Sequence, residues 1–452
     1  MSATPSPTGH FGPLPDDRLE RDMGEWKKPL DEGQAVAEAL RCLFCHDAPC
    51  TRICPTHIDI PGFIRKISTG NVRGAARTIL DANILGASCA RVCPVEVLCV
   101  GECVYNDMGR PPIQIGKLQR FATDQVVDRG IQLFAAGAPT GRKVALIGAG
   151  PASLACAHEL RRLGHEVTLL EKRGLVGGLN TTGVAPYKMK ADYALVEAEW
   201  VTAIGMDIRT GVEVGRDVSA ESLLADYDAV FLGVGLGPDG LTKVPGEDLA
   251  GVVGAVELIE RFKNAPRFDV VAASAVVVGG GNTALDVVRQ LRRLGVPDVT
   301  MVYRRSEDEM PGYRHELAAA RLEGAKFRFL SNPVAYLGDG RVEKVRVVDM
   351  ALGEPDASGR RSPRPVAGSE HELPADLVVL AVGQSKLAEL LALFPGVEVD
   401  RGGRVVVDER GCTGNPRVWS GGDCVNGGKE VVNAAADGKR AAHGIHDAIM
   451  AQ

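Results

Sequence analysis

The chain has 452 residues, 24% of them charged, and a formal net charge of −6. This length exceeds what one hydrophobic core commonly uses, so two to four domains are expected. The acidic balance gives no basis for a nucleic-acid partner. No apolar run near the start suits a signal peptide or a transmembrane helix, so we expect a cytoplasmic protein without a membrane partner.

An arm and a helix come first along the chain. Residues 1–30 hold prolines and acidic residues without an apolar run, which predicts an irregular N-terminal arm. A helix is predicted from Asp31, which forms a capping box with Gln34 ahead of an apolar stripe that contains Ala35, Ala39, Leu40 and Leu43.

Eight of the eleven cysteines follow in two dense groups between residues 42 and 103. The first group reads C-x2-C-x4-C-x3-C-P, and the second reads C-x3-C-P followed by C-x3-C. Thiolates bind iron–sulfur clusters, and a cysteine followed by proline is a mark of that ligation. Two all-cysteine zinc sites or a disulfide framework are the alternatives. Two [4Fe–4S] clusters are the prediction, and the candidate ligands are Cys42, Cys45, Cys50, Cys54, Cys89, Cys93, Cys99 and Cys103.

Short helices are predicted around these cysteines, within 61–85 and over 113–129. In the predicted helix over 113–129, Gln119 lies on the apolar face that contains Ile115 and Leu118. A glutamine in such a place is usually a hydrogen-bonded core residue, although its carbonyl oxygen could also face a cluster.

Two strand–turn–helix–strand units follow from residue 141. In the first, Gly148 makes the tight turn after a strand, Gly150 lets a pyrophosphate approach the helix, and Ser153 stands where a third glycine is common. Glu171 ends the next strand, where a carboxylate binds ribose hydroxyls. The order of these features predicts a dinucleotide site, and a glycine turn without a ligand is the alternative.

The second unit has the sequence G-G-G-N-T-A-L-D after its strand, and its next strand ends in Arg304 and Arg305. These arginines stand where an acidic residue would bind an NAD ribose. An arginine pair can neutralise a 2′-phosphate, which favours NADP. Two surface arginines without a phosphate are the alternative.

A strand ending in Gly421-Gly422-Asp423 precedes the last helix and suits a carboxylate bound to a flavin's ribityl chain. Together these features predict an α/β fold with two Rossmann-like nucleotide-binding domains of the two-dinucleotide flavoprotein type, preceded by an α-helical iron–sulfur domain. The predicted division is 1–30 arm, 31–138 cluster domain, 139–250 and 376–452 FAD domain, and 251–375 NAD(P) domain. No C-x-x-C pair stands beside the flavin, which argues against disulfide-reductase chemistry.

These motifs resemble one family along nearly the whole chain. The strings C-L-F-C-H-D-A-P-C, L-C-V-G-E-C, V-V-V-G-G-G-N-T-A-L-D and G-G-D-C-V-N-G-G-K are similar to the electron-input flavoprotein of dihydropyrimidine dehydrogenase, a separate subunit in bacteria. The small subunit of glutamate synthase shares the architecture and is the nearest rival.

The resemblance implies which residues hold each cofactor. It implies no catalytic group other than the FAD itself. It implies a first cluster on Cys42, Cys45, Cys50 and Cys103, and a second on Cys54, Cys93, Cys99 and Gln119. Cys89 is then left over as a non-ligand. The same resemblance implies FAD against Gly148, Gly150, Ser153, Glu171, Gly178, Leu179 and Asp423. It implies the nicotinamide nucleotide against Gly280, Asn282, Thr283, Arg304 and Arg305.

The implied function is electron input. A nicotinamide gives a hydride, clusters take single electrons, and FAD can mediate between the two. We expect NAD(P)H to reduce FAD and electrons to pass through two [4Fe–4S] clusters to a partner subunit with FMN and its own clusters. That partner would reduce uracil or thymine to the 5,6-dihydro form, so the chain alone is expected not to do so. Another NADPH-dependent electron-input subunit and a non-enzymatic metal-binding scaffold are the alternatives.

Overall fold

A computed structural model describes residues 14–355 and 361–451. The first thirteen residues of the predicted arm lie outside the described residues. The helices are α1 Glu32–Leu40, α2 Pro49–Ile53, α3 Ile60–Ser68, α4 Val72–Ala82, α5 Gly86–Val92, α6 Ile115–Val127, α7 Pro151–Arg162, α8 Leu179–Thr182, α9 Ala191–Thr202, α10 Ala220–Asp226, α11 Ala255–Asn264, α12 Asn282–Arg293, α13 Arg314–Leu322, α14 Ala388–Ala392, α15 Asp423–Asn426 and α16 Val431–Met450.

The cysteine-rich segment is helical and contains α1 to α6. Helix α1 begins as predicted, because the Asp31 carboxylate accepts from Gln34 N at 2.8 Å and the Gln34 side chain accepts from Asp31 N at 3.1 Å. The stripe is only half correct: Ala35 is buried, whereas Leu40 is 64% and Leu43 50% exposed. The reason is that the helix ends at Leu40, so Leu40 and Leu43 lie at and beyond its end and do not join its packed face.

The first sheet follows, and all its strand pairs are parallel. Its spatial order is β14-β4-β1-β2-β3. The strands are β1 Lys143–Ile147, β2 Glu166–Glu171, β3 Asp207–Thr210, β4 Ala229–Leu232 and β14 Val418–Ser420. The short apolar runs of β1 and β4 are buried on both faces, as expected for a parallel sheet with covered faces.

The second sheet is also parallel, in the order β5-β13-β6-β7-β8. Its strands are β5 Val252–Gly254, β6 Ser274–Val278, β7 Asp298–Tyr303, β8 Lys326–Phe329 and β13 Leu377–Leu380. Strand β13 pairs with β5 and β6, so it belongs to this sheet. The predicted return to the first domain at residue 376 is therefore too early, because four apolar residues there complete the second sheet.

A small antiparallel sheet lies beside the second one. It contains β9 Ser331–Leu337, β10 Lys344–Pro355, β11 Arg361–Pro365 and β12 His371–Pro374. The α/β class and the helical N-terminal domain are thus confirmed. In the described part of the chain, no helix is long and apolar enough to cross a membrane.

Candidate cofactor sites

The two glycine turns, 148–150 and 279–281, use their first and third glycines in the same way. Gly148 has φ of 87° and Gly279 φ of 144°, and a Cβ on either would come within 2.6 Å of a backbone carbonyl oxygen. These first glycines are therefore required by close packing. Two residues later, Gly150 and Gly281 each face open space, with no atom within 3.8 Å of such a Cβ.

Gly150 and Gly281 are also the N-cap residues of α7 and α12. Among the described residues, no side-chain hydrogen bond caps the first turn of either helix. The backbone N–H groups of both first turns are therefore free to bind phosphate oxygens, in the positive end of the helix dipole. The residues present thus fit a dinucleotide pyrophosphate at each turn.

Acidic residues border the first turn. The Glu171 carboxylate accepts from Ala149 N at 2.8 Å and from Arg173 N at 2.9 Å, which fixes it at the end of β2. Asp423 accepts from Lys429 N at 3.3 Å, and burial raises the pKa of its carboxyl. Both carboxylates line the same cavity, where hydroxyl donors of a ribose or a ribityl chain would offset their burial.

One cleft of about 1400 Å³ connects the two turns. This volume exceeds the roughly 300–1,000 Å³ of a site for one small ligand. The predicted residues that line it are Gly148, Gly150, Glu171, Gly178, Leu179, Asp423, Asn282 and Thr283. Part of the helical domain lines it too, through Val92, Pro94, Val97 and Leu98.

Four predicted cofactor residues do not line this cleft. Ser153 is fully buried and its Oγ would meet a Cβ placed on Gly233, so it packs below the turn. Gly280 packs against the Tyr303 ring. Arg305 donates from Nε to the Arg361 carbonyl at 3.0 Å, and Arg304 is exposed beside it.

The predicted ligands of the first cluster surround a small cavity next to α2 and α3. Its lining includes all four predicted ligands, Cys42, Cys45, Cys50 and Cys103, together with apolar residues such as Ile60 and Ile64. Burial, and then the neighbouring thiols of Cys42 and Cys103, raise the pKa of Cys50 to about 12. Four thiols that face one apolar space are a fitting donor set for a cubane cluster.

The predicted cysteine ligands of the second cluster lie where the helical domain meets the cleft. Burial, followed by the neighbouring Cys93 and Cys54, raises the pKa of the Cys99 thiol. Hydrogen bonding to Cys89 and then burial raise the pKa of the Cys93 thiol, while Lys27 is a cation that lowers it. Since Pro94 and Leu98 line the cleft, this group borders the flavin-side cavity.

Gln119 and Cys89 compete for the remaining place. Gln119 is 7% exposed, and its Nε2 donates to the Gly86 carbonyl of α5 at 2.7 Å, which leaves its carbonyl oxygen as the possible ligand atom. Cys89 Sγ accepts from Asn83 Nδ2 at 3.2 Å. All eleven cysteines lie in the described part of the chain, and each is free. Within the described ranges, no three His, Cys, Asp or Glu side chains converge as for a single metal ion.

Sequence reasoning missed several cleft residues. Gly281 occupies the position equivalent to Gly150, and that equivalence was the signal that could have found it. Lys188 forms ion pairs with Asp286 at 2.8 Å and with Glu316 at 2.9 Å, and all three line the cleft. These three residues come from separate elements, so no local pattern indicates them.

Two family models match the chain. One, described as dihydropyrimidine dehydrogenase domain II, 4Fe-4S cluster, matches residues 19–131. The other, described as pyridine nucleotide-disulphide oxidoreductase, matches residues 142–438. The first model decides between the alternatives for the cysteines, because it describes an iron–sulfur domain and not a zinc site or a disulfide framework.

Curated relatives match over nearly the whole length. The glutamate synthase [NADPH] small chain of Escherichia coli is 39% identical over 92% of this chain and 92% of its own. The NAD-dependent dihydropyrimidine dehydrogenase subunit PreT of E. coli is 36% identical over 91% of this chain and 93% of its own. The NADP(+)-dependent formate dehydrogenase subunit beta of Moorella thermoacetica is 38% identical, over 88% of this chain and 59% of its own.

Solved structures agree with the two-sheet architecture. FprA of Mycobacterium tuberculosis in complex with NADPH has a TM-score of 0.56 and 25% identity, over 69% of this chain and 84% of that one. Thioredoxin reductase of T. acidophilum, at 21% identity, shares the fold with a TM-score of 0.52, over 68% of this chain and 98% of that one. The two family models and the curated relatives confirm the predicted cofactors, FAD, [4Fe–4S] clusters and NAD(P)H, and an NAD(P)H-dependent flavin oxidoreductase.

Proposed function

Because the chain belongs to the pyridine nucleotide-disulphide oxidoreductase family and carries an iron–sulfur domain, we propose that it is the electron-input subunit of a dihydropyrimidine dehydrogenase. Electron input from NAD(P)H is common to the relatives' architecture, and the pyrimidine-reducing partner is the proposed part. That partner would contain FMN and its own clusters, in a hetero-oligomer with this chain.

The single observation that carries the electron-input part of the proposal is the composition of the cleft. Gly150 of the first turn, Gly281 of the second and Pro94 of the helical domain line one continuous cavity. A flavin, a nicotinamide and the second cluster would therefore share one border. Bound FAD would supply the conversion between hydride and single-electron transfer.

The chain's own residues bind and orient these groups. We assign the first cluster to Cys42, Cys45, Cys50 and Cys103, because these thiols line one cavity. We assign the second cluster to Cys54, Cys93, Cys99 and Gln119, because Cys93 and Cys99 directly adjoin the cleft-lining residues Pro94 and Leu98 in the chain. The second set of residues would hold a cluster able to accept single electrons from the flavin side, and the first set would hold one able to serve the partner.

The nucleotide is assigned to the second turn. Asn282 and Thr283 begin α12 within the cleft, and Asn282 Oδ1 accepts from Tyr313 N at 2.9 Å, which closes the loop after β7 over the turn. We propose NADPH as the donor, with its 2′-phosphate bound by Arg304 and Arg305 at the end of β7. Arg304 is the freer of the two, since no hydrogen bond or ion pair engages its side chain among the described residues.

The pyrimidine partner is favoured by the strings C-L-F-C-H-D-A-P-C and G-G-D-C-V-N-G-G-K, which resemble the pyrimidine enzyme. The second candidate is the small subunit of a glutamate synthase. It is favoured by the 39% identity to the E. coli small chain, against 36% for PreT.

An assay with defined partners tests the choice. The purified chain should oxidise NADPH with an artificial acceptor such as ferricyanide and should not reduce uracil. Addition of the FMN-containing pyrimidine-reducing subunit should produce dihydrouracil, while addition of a glutamate synthase large subunit should not produce glutamate. The opposite pattern would assign the chain to glutamate synthase, and uracil reduction by the chain alone would overturn the split-subunit proposal.

A further inference from the structure

A lysine of the N-terminal arm reaches the second cluster site. Lys27 Nζ donates a hydrogen bond to the carbonyl oxygen of Cys93 at 2.7 Å. Cys93 is a proposed ligand of the second cluster, so a positive charge lies directly on the backbone of a cluster ligand. The family motifs that carry the cysteines do not include this residue.

The position of Lys27 is fixed from both sides. Arg120 Nη1 donates to the Lys27 carbonyl at 2.5 Å and Arg120 Nη2 pairs with Glu25 at 2.6 Å. On the other flank, Trp26 N donates to the Tyr187 carbonyl at 2.8 Å. Because Arg120 directly follows Gln119 on α6, Lys27 connects the segments of two proposed ligands.

Further charges hold the described part of the arm in place. Arg18 is fully buried and pairs with Glu20 at 3.0 Å and with Asp192 of α9 at 2.7 Å. Breaking such a buried pair is costly, which keeps the segment around Arg18 attached to the folded domain. The Lys27 ammonium is therefore part of a built structure and not a mobile surface charge.

We propose that Lys27 raises the reduction potential of the second cluster, and this inference rests on the ligand set given under the proposed function. Reduction adds one negative charge to the cluster. A fixed cation beside Cys93 stabilises the reduced form more than the oxidised form, and hydrogen bonds and nearby charges are known controls of cluster potential. The effect would favour electron transfer from the flavin into this cluster.

The adjacent Lys28 provides a matched control. It carries the same charge one residue along the chain, and it is exposed. Solvent and salt screen an exposed charge much more strongly than a partly buried one. Substitution of either lysine changes the net charge of the protein equally, so a difference between them reports position.

The test is a potentiometric titration of the full-length holoprotein, followed by EPR, for wild type and for Lys27→Gln, Lys27→Arg and Lys28→Gln. We expect Lys27→Gln to shift the reduction equilibrium of one cluster about tenfold towards the oxidised form, or about 59 mV for a one-electron couple. The other cluster should not shift. Lys27→Arg, which keeps the charge, and Lys28→Gln should titrate like wild type.

Two outcomes would overturn the inference. In one, Lys27→Gln titrates like wild type with both clusters present. In the other, Lys27→Gln and Lys27→Arg both lose the cluster, which would show a structural role. A wild-type protein without cluster signals would instead contradict the proposed function, so the two failures are distinguishable.

Discussion

The Tyr313 hydroxyl donates a hydrogen bond to Glu430 Oε1 at 2.6 Å, although 117 residues separate the two in sequence. Tyr313 precedes α13 beside the nucleotide turn, and Glu430 is the N-cap of α16 on the flavin side. Both side chains line the cleft. The bond therefore joins the two nucleotide-binding units across the cleft.

We predict that Tyr313→Phe weakens nucleotide binding. Loss of a hydrogen bond to a carboxylate corresponds to about 1.5–3 kcal/mol, so KM for the nucleotide should rise roughly tenfold or more. Steady-state kinetics with an artificial acceptor measure this. FAD content should stay normal, and Tyr336→Phe, whose hydroxyl bonds Thr242 outside the cleft, is the control. An unchanged KM would show that the bond is not used.

The donor preference should depend chiefly on Arg304. Arg305 already donates to the Arg361 carbonyl, whereas Arg304 is free to pair with a 2′-phosphate. A charge-assisted contact of this kind is worth roughly 1.5–3 kcal/mol, about ten- to hundredfold in affinity. Arg304→Ala should therefore reduce the NADPH-to-NADH ratio of kcat/KM by that factor, and Arg305→Ala by less. A ratio that survives the double substitution would rule out phosphate recognition by this pair.

The fourth ligand of the second cluster can be assigned by substitution. Gln119→Ala should damage that cluster while FAD loading stays normal, because the side-chain carbonyl oxygen that the Gly86 hydrogen bond orients is then lost. Cys89→Ala should leave both clusters intact. Iron and acid-labile sulfide per FAD are the measurement. If Cys89→Ala loses a cluster and Gln119→Ala does not, the set of ligands contains cysteines alone.

A buried carboxyl at the junction of the domains should make stability depend on pH. Glu197 of α9 accepts from Ala87 N and Ser88 N of α5, each at 2.9 Å. Burial raises the pKa of Glu197 from 4.5 to about 7, against the opposing bonds from Ser88. The folded state thus prefers the protonated form. The added stability, on the order of 3 kcal/mol, is present below about pH 4.5 and is lost as pH rises through 7.

Thermal unfolding between pH 4.5 and 8 checks this prediction. Glu197→Gln, which keeps the shape and both backbone bonds, should lose Tm less steeply than wild type as pH rises. The exposed Glu221→Gln is the control and should keep the wild-type slope. Equal slopes for wild type and Glu197→Gln would contradict the assignment.

Local patterns predicted much of this molecule. The glycine turns at Gly148 and Gly279, the capping box at Asp31 and the two thiol groups are all set by residues close in sequence. The strand Leu377–Leu380 was assigned to the wrong sheet, because a short apolar run does not state which neighbours it pairs with.

Contacts between distant segments could not be predicted. Lys27 with Cys93 and Tyr313 with Glu430 join segments that only the folded chain brings together. Neither pair leaves a periodic signal, and Lys27, Tyr313 and Glu430 look in the sequence like ordinary surface or loop residues. The ligand choice between Gln119 and Cys89 likewise depends on the packing of α5 on α6, which spacing alone does not specify.

Anaerobic reduction of the purified chain by NADPH tests the central claim most directly. The protein should contain about eight irons and eight sulfides per FAD, as two [4Fe–4S] clusters require. NADPH should bleach the flavin absorbance and, without any partner, produce the EPR signal of reduced clusters. A protein that holds zinc without sulfide, or whose clusters stay oxidised while the flavin is fully reduced, would contradict electron input through this chain.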